Sequence, residues 1–139
     1  MEIHTKFNIG DKVYLVNSHG TKDIKDKPFY IMQEIFHDKK GKEQFTITGI
    51  TVHVNSYNYT IDYDFENWKE NFIPNESNIY YNKDMAIKNC NQENLKRCKS
   101  FYNIFKNYQI INGLSPEEDK QYQQEIKRLE REVAKDEQR

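Results

Sequence analysis

The spacing of apolar residues changes once along this chain, near residue 82. Before that point they alternate by two, and after it they recur by three and four. The stretch KFNIGDKVYLVN (6–17) opens with a turn signal at Gly10-Asp11, then continues as a strand in which Val13 and Leu15 alternate with Tyr14 and Val16. Polar residues 18–28 predict a loop ending at Pro28, followed by a second strand in PFYIMQEIFHD (28–38). A turn around Gly41 leads into QFTITGITVHVN (44–55), a long strand with a bulge or bend expected at Gly49. Asn55-Ser56 turns the chain into YNYTIDY (57–63), which places Tyr57, Tyr59, Ile61 and Tyr63 on one face, and IYY (79–81) closes the set. Four or five meandering antiparallel strands of this kind form a curved sheet or a small open barrel.

Beyond residue 82 the pattern is helical. Asn82 is suited to cap a helix, with Asp84 in the first turn to complement the helix dipole. Ile87, Cys90, Asn94, Cys98, Phe101, Phe105 and Tyr108 then trace one face, which Asn94 interrupts with a polar group. Gly113 stops this helix. Ser115, Pro116 and Glu118 spell the start of the next as a capping box with proline in its first turn. That last helix carries Tyr122, Ile126, Leu129 and Val133 as a narrow apolar seam, suited to a second subunit or to its own domain, and ends in a tail expected to fray. The expectation is one α+β domain, with β-strands across residues 1–81, a helix over 82–110, a turn at 111–114, a helical arm over 115–135 and a tail at 136–139.

Composition narrows the function classes. A chain of 139 residues can bury one core, and ten Tyr, eight Phe and one Trp supply large buried areas where aliphatics are few. A formal charge of −1 argues against a protein that grips a nucleic-acid backbone. No apolar run reaches the roughly 18–20 residues of a membrane span, and MEIHTKF lacks the regions of a signal peptide. Cys90 and Cys98, if on one helix, lie about 12 Å apart along its axis, too far for a disulfide. They read as reduced core thiols, which points to the cytoplasm.

Positive signs of catalysis are missing. His4, His19, His37 and His53 have no second metal ligand at short spacing, so no metal is expected. There is no nucleophile elbow, phosphate-binding glycine loop or dinucleotide fingerprint, so no cofactor and no catalytic residue is assigned. The acidic cluster Asp62, Asp64 and Glu66 reads as a solvated hairpin end before it reads as a cation site. The tyrosine stripe of 57–63 reads as core before it reads as a base-stacking platform.

The junction IYYNKDMAIKNCN (79–91) is the remaining candidate. A helix N-terminus presents backbone N–H groups and partial positive charge to an anion, Tyr80 or Tyr81 adds a flat face, and Asn91 adds a donor and an acceptor. Against this stands the plainer reading, in which one tyrosine packs inward and Asn82 only caps the helix.

The opening KFNIGDKVYLV, the strands that follow and the helix start YYNKDMAI together resemble the Thoeris anti-defence sponge proteins of phages. The resemblance spans about residues 6–110 as a pattern. It implies a counter-defence protein that sequesters a cyclic ADP-ribose signal without cleaving it, with Tyr81 and Asn91 at positions of the family's pocket and with assembly as a homo-oligomer. The family grips phosphates with arginines, and the first arginine here is Arg97. A second expectation is a phage inhibitor that blocks a host defence nuclease by direct contact, as anti-CRISPR proteins do, through Trp68 and Phe72.

Overall fold

The structure, a computed structural model, describes residues 5–24, 27–63, 74, 76–107 and 113–138. Among the described residues, five strands precede two α-helices: β1 (Lys12–Ile24), β2 (Lys27–Ile35), β3 (Gln44–Val52), β4 (Tyr57–Ile61), β5 (Ile79–Tyr80), α1 (Lys83–Asn107) and α2 (Pro116–Glu137). The strands form one open antiparallel sheet in the order β2-β1-β3-β4, with β5 pairing β1. This is the expected α+β architecture. One element departs from expectation: residues 18–24, read as a polar loop, extend β1. The partner strand β2 supplies hydrogen bonds that a polar sequence accepts as readily as an apolar one, so composition alone does not reveal the strand.

By packing, the chain divides into two compact units, Met1–Asn17 with Ile35–Ala86 and Ser18–Glu34 with Ile87–Arg139. The division cuts across the boundary between strands and helices, and β1, β2 and α1 contribute to both.

The first unit is organised by the Asn8–Asp11 turn. Gly10 sits at φ +96°, a backbone region that favours glycine, and its N–H donates to Ile47 O at 2.8 Å. β1 then pairs β3 in the register Val13↔Phe45 and pairs β5 at Leu15↔Ile79. The expected irregularity at Gly49 is present as a register shift between Ile47 and Gly49 where β3 meets β4. Phe7, Val13, Leu15, Phe45, Ile47, Tyr59, Ile61 and Ile79 form the core, with Tyr57 and Tyr63 packed against it. The tyrosine stripe is therefore core. The Tyr59 hydroxyl donates to Glu76 Oε1 at 2.6 Å, and burial together with this bond pushes its pKa up to about 12.

The second unit is built around Tyr30, Cys98, Tyr122 and Leu129, with Ile126, Phe101 and Phe105 packed against them. This corrects the reading of Tyr122, Ile126, Leu129 and Val133 as an interface between subunits. Tyr122 and Leu129 are buried within the chain, Ile126 packs on the same cluster, and Val133 is half-buried. Burial of each such side chain contributes about 1.5–3 kcal/mol, which the helix gains from its own unit. The capping box forms as expected: Ser115 Oγ accepts from the Glu118 N–H, and Glu118 Oε1 accepts from the Ser115 N–H, both at 3.2 Å. α2 extends past residue 135, the expected end of the helical arm. It runs to Glu137, and near its end Asp136, only 5% exposed, accepts a hydrogen bond from Asn91 Nδ2 at 2.7 Å.

Candidate functional site

Tyr81 leaves β5 and stands immediately before α1. Its ring is 53% exposed and lies tilted against Phe7, with centroids 4.8 Å apart. Its hydroxyl donates to Asp11 Oδ2 at 2.6 Å and to Lys6 O at 3.3 Å. Asp11 Oδ2 also accepts from the Asn8 N–H at 2.9 Å, so one carboxylate joins the turn to the tyrosine. The Tyr81 hydroxyl and the Asn8 N–H hold the Asp11 carboxyl below its ordinary range, and Asp11 in turn pushes the Tyr81 phenol up to about 12. The ring is thus held at the surface in one orientation at neutral pH.

The same unit leaves two further large apolar side chains in water. Ile9, in the turn that Asp11 closes, is 65% exposed, and Met85, in the first turn of α1, is 55% exposed. Neither stands out in the sequence at first sight. Ile9 disappears into a turn signal, whereas Met85 does carry one: it falls off the Ile87-Cys90-Asn94 face, so it is an apolar residue on the polar side of its helix.

The helix start itself is occupied. Asn82 Oδ1 accepts from the N–H groups of Asp84 at 2.7 Å and Met85 at 3.3 Å, two of the donors an anion would use. Lys83, the nearest cation in sequence, pairs with Glu43 at 2.6 Å. The Tyr81 hydroxyl itself faces a carboxylate, Asp11, which opposes a phosphate at that atom.

No family model, curated protein or solved structure matches the chain.

The remaining predicted positions fall elsewhere. Tyr80 is half-buried in β5, opposite Tyr14. Asn91 belongs to the second unit, where its Nδ2 donates to Asp136 Oδ2, whereas Tyr81 belongs to the first. Trp68 and Phe72 lie outside the described residues. Among those residues no group of three His, Cys, Asp or Glu side chains could hold a metal ion, and no helix is long and apolar enough to cross a membrane.

Proposed function

We propose that this protein acts by binding, and that its recognition element is the exposed Tyr81 ring held against Phe7, with the exposed Ile9 and Met85 of the same unit as further apolar contacts, set against the apolar surface of another protein. The observation that carries the reading is the Tyr81–Asp11 hydrogen bond, which orients an exposed aromatic ring before any partner arrives. A rigid aromatic anchor with flanking apolar atoms is the composition of an interface hot spot, and fixing it in advance lowers the entropy cost of association. The setting that fits the family-like pattern and the two buried free thiols is the cytoplasm of an infected bacterium, with a host defence protein as target.

A second reading, sequestration of a cyclic nucleotide, is favoured by one observation: the exposed Tyr81 ring stands beside a helix start and could stack a base. Calorimetry with cyclic ADP-ribose isomers, run beside a binding assay against purified host defence proteins, separates the two. Protein contact predicts no heat with the nucleotides and a stoichiometric partner whose affinity falls about 10- to 100-fold on Tyr81→Ala. Nucleotide heat that Tyr81→Ala abolishes selects sequestration. Binding that is indifferent to Tyr81→Ala in both assays rejects this surface altogether.

A further inference from the structure

β2 ends the strand order, so its outer edge faces no strand among the described residues. Such an edge presents backbone N–H and C=O groups to any passing extended chain, and folded proteins must cover or disrupt it to stay separate. Here the cover is made of two side chains from α1. Asn94, 6% exposed, places Oδ1 at 2.7 Å from the Gln33 N–H and Nδ2 at 2.9 Å from Gln33 O. Its amide thereby reproduces both bonds that a residue of a neighbouring strand would make. One helical turn on, Arg97 Nη1 donates to Ile31 O at 2.7 Å and to Ser18 Oγ at 3.3 Å, while its Nε is held by Glu93 Oε1 at 3.2 Å. Ile31 and Gln33 are two apart, so their backbone groups point to the same side of β2. Asn94 and Arg97 are three apart, so they lie on the same side of α1.

We propose that Asn94 and Arg97 form a side-chain shield that keeps β2 closed to strand addition, and that without it two copies of this chain join edge to edge through β2. The occupant is a second copy because the edge is its own complement. Antiparallel pairing about a two-fold axis near Gln33 places the same donors and acceptors opposite themselves. Ile31, 46% exposed, would gain burial in that pairing. Asn94 thus interrupts the apolar face of α1 for a reason that lies in the sheet. It is a strand mimic, and its cost to the helix seam is offset by two part-buried hydrogen bonds to the Gln33 backbone.

The test compares the full-length wild type with Asn94→Ala/Arg97→Ala by sedimentation velocity across a concentration series, with amide hydrogen exchange at Gln33 read in parallel. At the dilute end the Gln33 amide of the variant exchanges about tenfold or more faster than in the wild type, as an edge N–H that has lost its acceptor must. At the concentrated end the variant sediments as a species of twice the wild-type mass, and protection at Gln33 returns. Adding Gln33→Pro, which deletes the edge N–H, restores the wild-type mass. If the double variant loses its helical circular dichroism, Asn94→Leu/Arg97→Ala decides, because leucine suits the apolar face of α1 and still makes neither bond to Gln33. Wild-type sedimentation at every concentration overturns the proposal. So does association that persists with Gln33→Pro, since it would then run through another surface.

Discussion

The hydroxyl of Tyr81 and the carboxylate of Asp11, 70 positions apart in sequence, meet at 2.6 Å. Their titrations are linked. Asp11 is depressed, so its contribution to stability is complete above the unfolded carboxylate pKa of about 3.9 and fades as pH falls through the lower folded value. Tyr81 is raised to about 12, so its contribution is complete below the unfolded phenol pKa of about 10 and fades as pH rises through 12. Tyr81→Phe removes the bond and keeps the ring. The stability gap between wild type and Tyr81→Phe is therefore expected to hold flat from about pH 5 to 9 and to close at both extremes. Urea midpoints across pH measure it, and a gap that does not narrow in acid would show that Asp11 is not the partner that matters in solution.

Gly49 offers a test of the sheet that needs no ligand. A Cβ placed there would lie 2.4 Å from Thr60 Oγ1 and 3.7 Å from Thr60 Cβ. Only the first is a clash. Gly49→Ala is expected to cost about 1–3 kcal/mol by overpacking. Thr60→Ala removes the offending oxygen and leaves an ordinary contact, so the double variant should recover most of the loss. The coupling energy from a double-mutant cycle by chemical denaturation reads this directly.

What can be read from sequence, and what cannot, follows from how local each signal is. The Gly49 irregularity, the Asn82 cap and the Ser115–Glu118 box depend on residues within four positions of one another, and all three are present. Residues 18–24 carry no alternation of their own and become strand through their partner. Asn94 is visible as a polar break in a helix face, but nothing nearby in sequence says that its amide meets Gln33, 61 positions away. The apolar seam of α2 is legible as a face, whereas the choice between a second subunit and Tyr30 with Cys98 is not. Tyr81 is recognisable as an aromatic at a junction. Its orientation rests on Asp11, a residue that reads only as half of a turn signal.

The buried phenols make a prediction at high pH. Burial, with the nearby Glu125 charge, raises Tyr30 to about 12, and burial with the Glu76 bond raises Tyr59 to about 12. For a raised phenol the stabilisation is present below pH 10 and is lost as pH climbs toward the folded value, so the protein is expected to weaken between about pH 10 and 12. Ultraviolet difference titration should show some of the ten tyrosines ionising near pH 10. Tyr30, Tyr59 and Tyr122 should ionise only together with loss of the near-ultraviolet circular dichroism of the fold. Smooth titration of every tyrosine in one step near 10 would mean that these rings are not held as described.

Asn91 separates a structural role from a binding role. Its Nδ2 donates to Asp136 Oδ2 at 2.7 Å, 45 positions away, and Asp136 is buried near the end of α2. Removing one donor from a buried carboxylate costs about 1–3 kcal/mol, so Asn91→Ala is expected to lower stability by that amount in urea denaturation. The loss should appear as faster amide exchange in the last turn of α2, before the rest of the helix. Asn91→Asp should be worse at neutral pH, because it sets a second carboxylate against the first. A residue kept for a ligand would behave otherwise: Asn91→Ala would leave the α2 terminus and the urea midpoint unchanged while altering the calorimetric titration with cyclic ADP-ribose isomers. Measuring the two readouts on one variant decides which element of the chain Asn91 serves.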